Sequence, residues 1–179
     1  MFPMQTKSSF TPVTMPTPVA RLRRLMPPTP LITALRVRYV ECDMQGHVFN
    51  GHYLTWFDIA HTEALRAALG VSYGEFVAEH GVDFVVAESG VRYLAPAHFD
   101  DVLEIAVTFL PLTSSSLTSR FAIGRDGTAV AAGFLRHVCV DATTHAKTPW
   151  PDAFRTALAP YVDEEASASN DAATPSRPT

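Results

Sequence analysis

Three residues standing close together in this chain have side chains that can do chemistry. Asp43, His47 and Asn50 lie in a short loop-forming segment, 41–50, just ahead of a long stretch without proline. A carboxylate in such a place can take a proton from water or attack a carbonyl carbon itself. It then needs fixed N–H dipoles facing the oxygen that becomes negative. Asn50 stands where an N-cap is expected, and a helix beginning at Asn50 and Gly51 has first-turn N–H groups with no partner inside the helix. A helix start of this kind attracts anions. Glycines at 46 and 51 would let a ligand come close to the backbone. The set suits attack on an activated acyl carbonyl. The same residues also admit a plainer reading, with Asp43 as a turn aspartate and His47 and Asn50 as hydrogen-bonders that order the loop. Asp58, further along the helix, is another carboxylate, and its plainer role is pairing with His61 three residues on.

These residues need elements to hold them. Leu35, Val37 and Tyr39 alternate with Arg36 and Arg38, predicting a first strand with one buried and one basic face. Residues 51–69 then predict one long helix, stopped by Gly70. Wound at 100° per residue, it gathers Tyr53, Leu54, Phe57, Ala60, His61, Ala64, Leu65 and Ala68 on one arc, with Thr55, Thr62, Glu63 and Arg66 opposite. Something large must cover that arc. A second helical piece at 72–80 is followed by strand patterns at 82–94, 101–112, 117–124 and 128–140, read as an antiparallel meander with the hairpin dipeptide Asp126-Gly127. A last amphipathic turn, 152–161, is expected on an edge. The fold class is α+β, a curved five-stranded antiparallel sheet wrapped around one long central helix.

Composition narrows the choices. The 179 residues are 47% hydrophobic and 18% charged, the balance of an ordinary globular chain. The net charge of -4 offers no basic stripe for a nucleic-acid backbone, so no nucleic-acid partner is expected. No apolar run approaches the roughly 18 to 20 residues of a membrane-spanning helix, so no membrane partner is expected either. Cys42 and Cys139 form no C-x-x-C pair, which argues against a disulfide scaffold or a zinc ribbon and fits a cytoplasmic setting. His52 and His61 are nine residues apart, about 180° around one helix, so they cannot share a metal, and neither metal nor cofactor is expected. Gly70-Val71-Ser72-Tyr73-Gly74 matches G-x-S-x-G, but a nucleophile elbow follows a strand and this run follows a helix.

Residues 1–30 hold seven of the 14 prolines and no acidic residue, predicting a disordered basic leader. Readings as a targeting segment, or as a start assigned ahead of Met15 or Met26, stay open. Residues 162–179 are expected to be a disordered tail, leaving 31–161 as one domain.

Three fragments carry a family resemblance. The first is Tyr39-x-x-x-Asp43-x-x-Gly46-His47-Val48-x-Asn50-x-x-Tyr53-Leu54-x-Trp56-Phe57, and the others are the runs 91–101 and 136–141. Together they resemble hotdog-fold acyl-CoA thioesterases of the 4-hydroxybenzoyl-CoA thioesterase-like group, in order and over the whole core. The resemblance implies hydrolysis of an acyl-CoA thioester to a free acid and CoA. It implies Asp43 as nucleophile or general base and the backbone amide at Asn50 as the oxyanion donor. His47 and Asn50 are secondary catalytic candidates, because acyl carrier protein thioesterases use a His and an Asn near this loop. Asp58 is a candidate because a second branch uses a helix carboxylate, although the matching position there is more often Glu. Expected substrate contacts are Gly51, Tyr53, Arg92, Ser115 and Arg136, with Arg120 and Arg125 also near where the family holds the nucleotide. A homodimer or homotetramer is implied, with active sites across the interface. The alternatives are a hotdog protein that binds an acyl thioester without hydrolysing it, and an acyl carrier protein thioesterase.

Overall fold

A computed structural model describes residues 30–164. All but the last residue of the expected leader, and most of the expected tail, therefore lie outside the described residues. The order is β1 (Leu31–Arg36), a 3-10 turn (Tyr39–Glu41), α1 (His52–Leu69), α2 (Tyr73–His80), β2 (Val82–Tyr93), β3 (Val102–Phe109), β4 (Ser116–Arg125), β5 (Thr128–Asp141), α3 (Asp152–Leu158) and a closing 3-10 turn (Ala159–Tyr161). All five strands form one antiparallel sheet in the order β1-β3-β4-β5-β2.

Local chemistry explains most boundaries. Gly70 ends α1 in the left-handed conformation, φ 72°, and its N–H closes onto the Arg66 carbonyl. Ser72 then caps α2 in a reciprocal box, its Oγ accepting from Glu75 N–H while the Glu75 carboxylate accepts from Ser72 N–H at 2.8 Å. Ser72 is therefore spent on a helix start, in keeping with the reading that its G-x-S-x-G run is no nucleophile elbow. Asp126 and Gly127, at φ 49° and 79°, make the tight β4–β5 turn that their types demand.

Several expectations change. The meander covers only β3, β4 and β5, because β2 crosses over to pair with β5 at the far side of the sheet. The first strand stops at Arg36, because Glu41 N–H bonds the Arg38 carbonyl and Cys42 N–H the Tyr39 carbonyl, turning the chain and leaving Tyr39 81% exposed. The final helical turn is core rather than edge cover, since Phe154 is fully buried against Phe76, Phe84 and Trp150. Val162 and Asp163, expected in the tail, dock on the end of β3, where Asp163 N–H bonds the Phe109 carbonyl at 2.8 Å.

α1 lies against the inner face of the sheet. Its buried face is Tyr53, Trp56, Phe57, Ala60, His61, Ala64 and Leu65. Leu54 is exposed and Trp56 takes its place, because segment 41–50 folds back over the first turns of the helix. Phe57 stacks on Phe121 at 4.4 Å. Gly133 on β5 makes room for it, since a Cβ there would collide with the Phe57 ring and the Gly90 carbonyl. Among the described residues no helix is long and apolar enough to cross a membrane.

Candidate active site

The site loop is a short closed turn. Cys42 bridges to Val48, Asp43 N–H bonds the His47 carbonyl at 2.9 Å, and Gly46 N–H bonds the Asp43 carbonyl at 3.0 Å. Gly46 sits at φ 82°, a conformation that a side chain would strain. Two bonds tie the turn down: Val48 N–H to the Ala97 carbonyl and Phe49 N–H to the Glu41 carbonyl, both 2.9 Å. The position of Asp43 is thus fixed by backbone on both sides.

Asp43 itself accepts one hydrogen bond, from Gln45 N–H to Oδ1 at 2.8 Å. Among the described residues its other oxygen has no partner, so a lone pair is left for a ligand or water. Asp43, His47, Asn50, Tyr53, Tyr93 and residues 94–96 line one open cavity of about 500 Å³. At its rim the helix begins one residue later than expected. Gly51, not Asn50, is the N-cap, with no side-chain cap bond. The Asn50 side chain is therefore not committed to the helix. His52 N–H bonds the Phe49 carbonyl and Tyr53 N–H reaches the Asn50 carbonyl at 3.4 Å. Among the described residues the Asn50 and Gly51 N–H groups have no acceptor. No acidic residue occupies the first turn, so nothing there neutralises the positive end of the helix.

Aromatic and charged groups brace this arrangement. Tyr53 is buried between Trp56, at 4.9 Å, and Tyr93, at 5.0 Å, and burial pushes its phenol above the ordinary range. Tyr93 Oη donates to the Asn50 carbonyl at 3.1 Å. Beneath the loop Glu41 is 1% exposed. It accepts from Arg38 N–H (2.6 Å), Arg38 Nη2 (2.8 Å) and Trp56 Nε1 (3.0 Å). Burial alone would raise its carboxyl, but these donors outweigh it and hold it below the usual carboxylate value.

The remaining candidates lie elsewhere. Asp58 is exposed on α1, away from the cavity, and does not pair with His61. His61 Nδ1 instead meets Ser119 Oγ at 3.0 Å, and its ring stacks on His137 at 4.3 Å. Burial, with His137 adding to it, lowers His61 to about 3, so it is neutral. Burial lowers His137 too, against an opposing pull from the Asp58 charge. Arg136 is paired with Glu88 at 2.8 Å, and Arg125 with Asp101. Ser115 is buried, its carbonyl taken by Cys139 N–H. Arg92 is exposed and has no acidic partner among the described residues. Among these residues no group of three or more His, Cys, Asp or Glu could hold a metal ion. Sequence reasoning missed Glu41, Tyr93 and Arg155, whose Nη2 bonds the carbonyls of Thr113 and Ser114 at 2.8 and 2.7 Å. Only Tyr93 left a trace, inside the strand pattern 82–94 and the run 91–101 that carries the family resemblance.

Residues 37–158, spanning the site and nearly all of the sheet, match a family described as the thioesterase-like superfamily. The chain belongs to that superfamily. Among other members, the acyl-CoA thioester hydrolase YbgC of Escherichia coli O6:H1 is 35% identical over 109 residues, covering 60% of this chain and 79% of the relative. The 1,4-dihydroxy-2-naphthoyl-CoA hydrolase of Thermosynechococcus vestitus is 28% identical over 129 residues, 71% of this chain and 88% of the relative. A crystal structure of the hypothetical protein TT1821 from Thermus thermophilus superposes with a TM-score of 0.65 at 35% identity, covering 73% of this chain and 98% of that one. The five-stranded curved antiparallel sheet around a helix is the hotdog architecture of the superfamily's thioesterases.

Proposed function

We propose that this superfamily member hydrolyses an acyl-CoA thioester, with Asp43 acting on the carbonyl and the start of α1 holding the oxyanion. One observation carries the reading: an Asp43 carboxylate oxygen and the Asn50 N–H, both without partners among the described residues, border one cavity, with the equally unpartnered Gly51 N–H next along the helix start. Relatives named acyl-CoA thioester hydrolase support the substrate class.

In the general-base route Asp43 takes a proton from water as the water oxygen bonds to the thioester carbon. The carbonyl electrons move onto oxygen, which the Asn50 and Gly51 N–H groups stabilise. The carbonyl then re-forms, the C–S bond breaks, and the CoA thiolate receives the proton from Asp43. In the nucleophilic route an Asp43 oxygen bonds to the carbon, CoA leaves, and water cleaves the anhydride. Single turnover in ¹⁸O-labelled water separates them, because the covalent route can leave label in the Asp43 carboxyl. A His47 or Asp58 role would be secondary. Arg92, free of acidic partners among the described residues, is our candidate for the CoA phosphates in preference to Arg136, which Glu88 already holds.

The assembly proposal rests on the sheet edge. β2 has one strand neighbour and exposes Val85 and Val86, the latter 54% accessible. An edge of this kind pairs with another chain unless it is protected. We propose a dimer or tetramer that covers β2, with free acyl-CoA rather than acyl carrier protein as substrate. Sedimentation at micromolar concentration should show a dimer or larger, and a stable, fully active monomer would contradict this.

The decisive assay is a panel of short, long, branched and aromatic acyl-CoAs, with released thiol followed over time, for the parent and Asp43→Asn. Hydrolysis by the parent and its near-loss in the variant support the reading. No release from any substrate would favour a non-hydrolytic binder. Turnover by the variant within about threefold of the parent, too small for a lost general base, would shift the catalytic assignment to Asp58 or His47.

A further inference from the structure

The bond from Tyr93 to the loop links two elements that are distant in sequence, and it meets the backbone at a sensitive place. Tyr93 closes β2, and its hydroxyl donates to the Asn50 carbonyl across 43 residues of chain. That carbonyl belongs to the same peptide unit as the Gly51 N–H. In a trans peptide the two point in opposite directions, so holding the oxygen aims the hydrogen.

This peptide unit needs holding. Its carbonyl otherwise accepts only the 3.4 Å bond from Tyr53 N–H, near the limit for a hydrogen bond. Its C-terminal side is glycine, which tolerates the large φ change of a peptide flip. A Cβ at position 51 would come within 2.9 Å of Phe49 Cε1, so a side chain there would push that ring aside. Asn50 lines the cavity and Gly51 is the N-cap beside it, so a flip would replace an open N–H at the helix start with a carbonyl oxygen, repelling the very charge that the site is to stabilise. The tether comes from a stiff base. Tyr93 packs edge-on against Tyr53, Tyr53 against Trp56, and the Trp56 indole is bonded to the buried Glu41 carboxylate. A donor on the carbonyl also polarises the amide and strengthens the N–H as a donor.

We infer that Tyr93 is a positioning residue that latches the Asn50–Gly51 peptide so that the Gly51 N–H faces the thioester oxygen. The inference rests on the thioesterase reading above. It assigns Tyr93 no contact with the reacting atoms and no proton to move.

The test is Tyr93→Phe in the full chain, which keeps the ring and its packing and removes only the donor. On the acyl-CoA that the parent turns over fastest, kcat should fall about 5- to 30-fold with KM within about twofold. That is less than the roughly 10²- to 10³-fold cost of deleting an oxyanion donor outright. Two inert analogues make the test specific: a CoA ketone with CH2 in place of the thioester sulfur, which retains the carbonyl, and an S-alkyl CoA thioether, which lacks it. Tyr93→Phe should weaken the ketone about 3- to 10-fold, the range of one modest hydrogen bond, and leave the thioether within twofold. Equal weakening of both analogues, a change in KM alone, or parent-like turnover would overturn the latch while leaving the thioesterase reading intact. A parent inactive on every acyl-CoA would overturn both.

Discussion

Glu41 and Asp43 are two carboxylates separated by one residue, and the fold treats them oppositely. Glu41 is sealed under the loop with three donors on its two oxygens, while Asp43 is half-buried at the cavity with one donor. A carboxylate whose lone pairs are filled and whose charge is stabilised cannot act as a base or attack a carbon. A carboxylate held by its backbone, with one oxygen open, can. The pair shows the work divided along three residues of chain: Glu41 ties the loop to α1 through Trp56, and Asp43 receives the orientation that results.

Exchanging each carboxylate for its amide is the strongest way to break that comparison. Asp43→Asn should lose roughly 10²- to 10⁴-fold in single-turnover rate, with the unfolding midpoint and assembly unchanged, since Asn can keep the Gln45 contact through its carbonyl. Glu41→Gln should do the reverse. Its amide N–H2 must face an Arg38 donor or the Trp56 indole, leaving a donor without an acceptor, at about 1.5–3 kcal/mol for a hydrogen bond to a charged group. Denaturant unfolding should report that loss, while kcat changes far less than in Asp43→Asn. If Glu41→Gln destroyed turnover at full stability, the division of labour would be wrong.

Acid sharpens the contrast through the buried groups. The unfolded chain binds a proton at His61 below about 6.5, whereas the folded protein refuses one until about 3. Stability from this residue is therefore complete above about 6.5 and declines as pH falls through that window, by about 1.4 kcal/mol per pH unit. Glu41, lowered by folding, adds a loss that begins below its ordinary value of 4.5. Unfolding free energies measured from pH 7.5 to 4.5 should fall in the parent and fall less steeply in His61→Leu, with identical slopes counting against a neutral buried imidazole. The smallest effect is expected at Arg92→Ala. An exposed contact to phosphate contributes about 0.2–1 kcal/mol, so KM should rise about two- to fivefold with kcat unchanged, and an unchanged KM would remove Arg92 from the nucleotide site.

Much of this was legible in the sequence where the cause is local. Gly70 and Asp126-Gly127 announce their turns because backbone conformation is set by the residues themselves. Asp43, His47, Asn50 and Tyr53 come together because they share one loop and one helix start. The pairing of β2 with β5 was hidden, since alternation tells which side of a strand is apolar and not which strand lies beside it. Glu41 was hidden for a different reason: carboxylates are almost never fully buried without a partner, and although Arg38 is close in sequence, the indole of Trp56 that seals it under the loop is fifteen residues away. Winding the helix missed Trp56 for the same reason, because the loop that covers it belongs to no helical period. Tyr93 could be seen as part of a strand, but its tie to Asn50 exists only after the crossover.

The two tryptophans of this chain lie in contrasting surroundings. Trp56 sits beside the ionised Glu41, whereas Trp150 stacks on Phe154 at 4.5 Å with its indole N–H unpartnered among the described residues. An indole next to a fixed negative charge and one in an apolar stack emit at different wavelengths and yields. Replacing either with Phe leaves a single-colour reporter, Trp56 for the floor of the site and Trp150 for the seating of α3. The protein thus contains two native optical probes, able to show whether the site and the C-terminal helix come apart together or in sequence.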